Sequence, residues 1–281
     1  MNSMYAAVKR LLALSIAVFS LILFSAGCRV RESSAPGSQT PADELEWDDP
    51  LIKYILSFCC LGSERMNELT TEYDEEYNCS IETEAEIYEF ADIVYNYMDE
   101  NGIHITSEYL EQIKSVYIGA WTPDCTHVEI HLDGEEHPRC LIFHYGTKVG
   151  SIKDFGKLPN LQWLEITEGA FSNLSPLSGI KTLEWLALDC SNVEDMSVIG
   201  MLPALKGLYI ANASAPDMSA ISGLGKLETL RFANCKELDV QRLAACLPAS
   251  VKELSFDHCG IEDASALEAL EQLETLSISE A

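Results

Sequence analysis

A short α/β solenoid, in which stacked coils lay a parallel sheet along one concave side, is the fold class this chain predicts. Three observations carry it. A six-residue pattern with apolar residues at its first, fourth and sixth positions recurs as LQWLEI from Leu161, LEWLAL from Leu183, LKGLYI from Leu205, LETLRF from Leu227, VKELSF from Val251 and LETLSI from Leu273. The starts are separated by 22, 22, 22, 24 and 22 residues. A second apolar set trails the strands at fixed offsets, Val193, Met196, Ile199 and Leu202 in one copy and Ala215, Met218, Ile221 and Leu224 in the next. One strand and one return segment cannot bury both sets alone, whereas stacked copies can, each side chain lying on its equivalent in the next coil. Fully burying one such leucine contributes about 1.5–3 kcal/mol, so neighbouring coils rather than a central core hold the array.

The elements before the array follow in order. Lys9 and Arg10 precede an apolar run from Leu11 to Phe24, and Ser25, Ala26, Gly27 and Cys28 close it, the pattern of an export signal. The SAGC tetrapeptide resembles the lipobox of bacterial lipoproteins. That resemblance implies removal of residues 1–27, acylation of Cys28, and a chain lipid-anchored to a membrane on its extracytoplasmic side, at the cell surface or the periplasmic face. A plain signal peptide and a short membrane anchor are the alternatives, although the apolar stretch is marginal against the roughly 20 residues of a spanning helix. Residues 28–45 are rich in Ser and Pro without apolar periodicity and read as a flexible tether.

Charge narrows the partners. The chain carries 45 acidic and 18 basic residues; loss of Lys9 and Arg10 with the signal leaves a formal −29. Such a surface repels phosphate, which excludes nucleic acid and leaves the lipid, not electrostatics, to hold the protein at a membrane. Of ten cysteines, nine remain beside Cys28, an odd number that implies at least one unpaired thiol or pairing between chains.

Residues 46–120 read as a small acidic helical domain. A first helix starts at Pro50 behind Asp48 and Asp49, with Leu51, Ile52, Ile55, Leu56, Phe58 and Cys59 as its apolar side. A second is marked by the capping box Thr83 and Glu86, by Ile87, Phe90, Ala91, Val94 and Met98 at helical spacing, and by Gly102 as its stop. A third is expected from Thr106 or Ser107 to about Ser115, and EYDEEYNC between the first two reads as a solvated acidic loop. Residues 121–281 form the repeat domain. Its opening is a β-hairpin cap, HVEIHL and CLIFHY flanking a turn at Asp133 and Gly134.

The LxxLxL strands near period 22, with follow-on segments SNLSPL, EDMSVI and PDMSAI, resemble bacterial leucine-rich repeats of the internalin type. The resemblance implies a leucine-rich repeat solenoid and protein partners, sometimes host surface proteins. In that family the ninth repeat position is usually asparagine; here it is Gly169, Ser191, Ala213, Cys235 and Cys259, which argues against a continuous asparagine ladder. Cys235 and Cys259 resemble the buried-cysteine variant of that position and read as structural thiols. The last copy has no amphipathic segment after its strand, so Leu276 and Ile278 are expected near an open edge suited to self-association.

Alternation along each strand puts Trp163, Glu165, Trp185, Asp189, Tyr209 and Arg231 on the concave face, with Trp163 and Trp185 about 4.8 Å apart. Aromatics and arginine dominate binding hot spots, so this is the candidate ligand surface for a protein or, by stacking, a glycan. Burial of the tryptophans by the helices or by a neighbouring molecule is the competing reading. In the hairpin, Cys125, His127, Glu129 and His131 share a face, and pairing about the turn sets His131 near Cys140 and His127 near His144. Cysteine and imidazole together make a candidate zinc site, against which stands the absence of any CxxC or HExxH spacing. A Cys125–Cys140 disulfide needs a different register. No phosphate loop, GxSxG or other catalytic motif is present, so neither an enzyme nor a cofactor is expected. The function expected is ligand binding by a membrane-anchored extracytoplasmic protein; the alternative is a non-catalytic, self-assembling scaffold of the cell envelope.

Overall fold

The computed structural model describes residues 45–62, 65–66, 68–69, 84–122, 125–144, 148–167, 169–190, 192–214 and 216–279. The signal segment, Cys28 and nearly all of the tether lie outside these residues, as do Thr83 and the side chain of Glu86. No helix among the described residues is long and apolar enough to cross a membrane.

Among the described residues nine strands, numbered along the chain, form one sheet; the first three, β1 (Ile113–Thr122), β2 (Cys125–Leu132) and β3 (Arg139–His144), lie in the order β3-β2-β1, and the six repeat strands follow β1 in chain order. The six repeat strands are β4 (Trp163–Ile166), β5 (Trp185–Asp189), β6 (Gly207–Ala211), β7 (Thr229–Ala233), β8 (Glu253–Asp257) and β9 (Thr275–Ser279), all parallel and paired position for position. Their inward residues form two continuous ladders. Leu164, Leu186, Leu208, Leu230 and Leu254 make one; Ile166, Leu188, Ile210, Phe232 and Phe256 make the other, and all are buried. Phe232 and Phe256 stack with centroids 5.8 Å apart. In β9 the equivalent Leu276 and Ile278 are 45% and 40% exposed.

Short 3-10 helices return the chain on the other side at Ser175–Gly179, Ser197–Met201, Ser219–Gly223 and Ser265–Leu267. Each begins with the same turn, in which the side chain of Asn173, Asp195, Asp217 or Asp263 accepts the backbone N–H of the serine two residues on, at 2.8–3.0 Å. The coil with the 24-residue step differs. Its return segment is an α-helical turn, Val240–Cys246, N-capped by Asp239, and its two extra residues are taken up there.

The N-terminal helices α1 (Pro50–Leu61) and α2 (Glu84–Glu100) pack together, with Tyr54 and Phe90 meeting edge to face at 6.3 Å. Asp49 is the N-cap of α1, accepting from Leu51 N, and Gly62 ends it at φ 81°. Helices and repeats share one continuous buried core. Two buried carboxylates clamp the junction: Asp49 accepts from Gly150 N and Ser151 N at 3.0 Å, while Asp154 accepts from Asp48 N and Asp49 N and pairs with Lys157.

The expectation for the third helix is corrected. α3 (Ser107–Gln112) stops at Gln112, and Ile113–Thr122 is a strand, β1. β1 pairs antiparallel with β2 (Cys125–Leu132) and parallel with β4, so the hairpin of β2 and β3 (Arg139–His144) is hydrogen-bonded into the repeat sheet instead of sitting beside it. Val116 and Ile118 point into the core, and β1 satisfies the edge that β4 would otherwise expose. The hairpin register is also shifted by two residues from the expected one. Cys125 lies opposite His144, His127 opposite Ile142 and Glu129 opposite Cys140. His131 is thus not opposite Cys140, nor His127 opposite His144, and Cys125 and Cys140 are not cross-strand partners.

Positions after the strands show a second difference. The eighth residue of three copies, Asn212, Asn234 and His258, has φ between 53° and 56°, a left-handed conformation that Asn and His tolerate better than most residues. This lets the ninth residue, Ala213, Cys235 or Cys259, turn into the core. Two asparagines join in a short polar strip, one position early and on the exposed rim, and not in a continuous ladder: Asn234 donates to Asn212 at 2.6 Å and Asn212 to Asp189 at 2.9 Å. In the second copy the buried residue is Cys190, one before Ser191, which lies outside the described residues. Burial pushes the Cys190 thiol up to about 12 and that of Cys235 to about 11, and both are free, inert core groups.

The turn carboxylates carry a pH dependence. Hydrogen bonds from the following serines hold Asp195, Asp217 and Asp263 below the ordinary carboxylate range. Their folded-state values lie under the unfolded value of about 3.9, so their contribution is complete above it and disappears as pH falls through the depressed values. Asn173 makes the same turn without a charge. Replacing all three aspartates with asparagine is therefore expected to leave the urea midpoint at pH 7 nearly unchanged and to make its fall below about pH 4 shallower than in the wild type.

Candidate functional site

The outward residues of the sheet fall into rows set by register. One row runs His131, Ser115, Trp163, Trp185, Gly207, Thr229, Glu253 and Thr275; the next runs Glu129, Tyr117, Glu165, Ala187, Tyr209 and Arg231. Each of the six expected face residues is on this side.

Their environments differ. Trp163 and Trp185 stack with centroids 4.7 Å apart and planes 13° from parallel, close to the expected strand spacing. The pair is not symmetric. A Cβ on Gly207 would lie 1.9 Å from Cε3 and 2.0 Å from Cζ3 of Trp185, so the Trp185 ring lies down over the bare backbone of Gly207. Trp163 lies in turn on Trp185. Trp163 is 39% exposed, whereas Trp185 is partly buried, its Nε1 covered and without a partner among the described residues. Trp163 is thus the more exposed of the two indoles, and no helix among the described residues covers it.

Glu165 sits beside this stack, half-buried. Burial pushes its carboxyl above the ordinary range, and a side-chain hydrogen bond with Trp163 works in the other direction. Burial and the neighbouring carboxylates Glu165 and Glu129 raise the Tyr117 phenol. Burial, with Asp257 the leading charge, raises that of Tyr209. Arg231 is exposed and 3.4 Å from Glu253. Asp189 is engaged by Asn212 and belongs to the rim ladder rather than to an open surface.

Tyr117 extends the face beyond the residues expected from the repeats, joining it to His127 and Glu129 of the hairpin. Its signal was present in the alternation of KSVYIG, Lys114 to Gly119, hidden by a helical reading of the preceding residues. The Tyr117 and His127 rings meet edge to face at 5.9 Å. Glu129 lies 3.5 Å from His127 Nε2 and 4.0 Å from His131 Nε2. Among the described residues no group of three His, Cys, Asp or Glu side chains is placed to hold a metal, and the side chains of Cys140 and His144 lie outside them. The candidate zinc set is separated by the register reported above.

No protein-family model matches the chain, and no curated protein is similar to it. Among solved structures it is similar to an internalin, inlF, from Listeria monocytogenes, at 23% identity and a TM-score of 0.40 over 63% of this chain and 50% of that one. It is also similar to internalin C2 of the same organism, at 21% identity and a TM-score of 0.35 over 49% of this chain and 70% of that one. The chain spans about half the length of the first of these. The repeat architecture described above stands on the strand register and buried ladders of this chain itself.

The stack depends on the absence of a side chain at residue 207. Gly207→Ala is expected to lift Trp185, change the near-ultraviolet circular dichroism, and cost about 1–3 kcal/mol in denaturant unfolding, the usual range for overpacking.

Proposed function

We propose that this chain is a non-catalytic binding protein that recognises another protein through the concave sheet face around Trp163, Glu165, Tyr209 and Arg231, and that it is lipid-anchored at Cys28 on the extracytoplasmic side of a membrane. The observation that carries the reading is the stacked tryptophan pair with an open indole face on a sheet that the helices among the described residues leave uncovered. Rigid aromatic surface of this kind provides hot-spot contact at low entropic cost, because the side chain is already ordered before a partner arrives. A preformed parallel sheet adds a platform whose geometry does not change on binding. A second reading, self-assembly into an envelope scaffold, is favoured by the exposed Leu276 and Ile278 on β9.

Photo-crosslinking from the full chain on intact cells separates the two. A probe at Thr229, on the concave face, is expected to trap a different protein and one at Ser222, on the return side, is not. The adduct should fall roughly tenfold or more with Trp163→Ala and Tyr209→Ala combined, as expected for loss of a hot spot. Adducts only with a second copy of the chain would favour the scaffold, and indifference to the two substitutions would overturn the face assignment.

The anchor is tested separately. Cys28→Ala is expected to release the protein from the membrane fraction, and undiminished retention would overturn lipidation.

A further inference from the structure

The aromatic stack ends abruptly on one side. Trp185 leans over Gly207 and Trp163 leans over Trp185, so both rings tilt away from β1. The next residue in their row, on β1, is Ser115, and beyond it on β2 is His131. Adjacent strands are spaced about 4.8 Å apart, so Trp163 and His131 stand on strands roughly 10 Å apart with only a serine between them. That separation exceeds the roughly 7–8 Å of two van der Waals contacts, so a single planar group has room to lie over Ser115 against the indole. The gap over Ser115 is therefore a shallow slot, bounded by the outer face of the Trp163 indole and by the half-exposed His131, whose Nε2 lies 4.0 Å from Glu129.

Charge around the slot has one sign. Glu129 on β2 and Glu165 on β4 occupy the adjoining row, diagonal to Ser115 on either side, within the reach of cross-strand diagonal neighbours. No lysine or arginine occupies an outward position on β1, β2, β4 or β5 among the described residues. Lys114, at the start of β1, is directed to Asp133 at 3.5 Å. Arg231 is two strands beyond Trp185 and pairs with Glu253. The whole chain carries a formal charge of −27. A ligand group entering here meets an aromatic face and two carboxylates, Glu129 beside His127 and His131 and Glu165 hydrogen-bonded to Trp163, with no lysine or arginine of the face paired to either.

We propose that the slot over Ser115 receives an arginine side chain of the partner protein, its guanidinium stacked on Trp163 and its N–H groups directed to Glu129 and Glu165. A guanidinium is planar, so it fits a slot one group wide, and its fork of donors reaches two carboxylates at once. Stacking on an indole adds the attraction of a cation to the ring's negative face. A lysine ammonium satisfies the charge but not the shape, and a neutral sugar ring satisfies the shape but leaves the carboxylates without a counter-charge. This inference rests on the reading that the concave face binds protein, and narrows it to a basic epitope.

The test uses the full chain and the probe peptide acetyl-Gly-Ser-Arg-Ser-Gly-amide, with citrulline or lysine in place of arginine, followed by tryptophan fluorescence at physiological salt. The arginine peptide is expected to produce a saturable change, weakened about tenfold or more by citrulline and severalfold by lysine. Ser115→Leu, which fills an exposed slot without touching the core, should abolish the change, and Glu129→Gln with Glu165→Gln should weaken it about tenfold. Equal response to citrulline, no saturation up to about 10 mM, or the same change produced by cellotetraose would overturn the proposal. The failures are distinguishable. If crosslinking from Thr229 still depends on Trp163 and Tyr209 while Ser115→Leu and the glutamate variants leave capture intact, only the arginine assignment falls; if capture ignores Trp163 and Tyr209, the concave-face reading falls with it.

Discussion

Position-for-position pairing of parallel strands is the constraint on which the rest of this molecule depends. Because β4 to β9 are in identical register, every side chain lies on its equivalent in the next coil. Leucine lands on leucine inside the sheet and tryptophan on tryptophan outside it. The first of these repetitions supplies stability, through ladders that bury each rung against two neighbours. The second supplies a surface, because an outward residue has nothing above it except its own row.

The face inherits its asymmetry from single departures in that repetition. Gly207 breaks the row of large side chains and gives Trp185 a place to lie down, which in turn orders Trp163. Ser115 breaks the row on the other side and leaves the outer face of Trp163 open. Small residues at two register positions thus convert a uniform aromatic row into a tilted stack with one closed and one open end. The rim behaves similarly. Left-handed backbone at Asn212, Asn234 and His258 rotates the following residue into the core, and the asparagine amides that remain outside join Asp189 in a polar strip.

The helical segment is bound into the same object. Asp49 caps α1 and at the same time accepts two backbone N–H groups at the start of the solenoid, while Asp154 accepts two from the chain entering α1. Each carboxylate satisfies donors that burial would otherwise leave unpaired, which ties helix initiation to coil initiation. Arg139 adds a third tie, donating to the carbonyl of Cys59 at the end of α1 while pairing with Glu135.

Local periodicity by itself determined the repeat strands, the inward ladders, the outward placement of Trp163, Glu165, Trp185, Tyr209 and Arg231, and the start of α1 at Asp49 and Pro50, because each depends on a pattern that is read within one turn or one coil. Other features rested on contacts between distant segments. Ile113 to Ser115 follow a helical stretch directly, and pairing with β2 on one side and β4 on the other makes them the start of a strand. The hairpin register followed pairing with β1 rather than the symmetry of its own turn, and this separated the expected His and Cys neighbours. Which indole is the more exposed was likewise settled outside its own coil, by the missing Cβ at Gly207 one strand away from Trp185. Alternation assigns a side chain to a face, but its exposure is set by what the neighbouring strand places beside it.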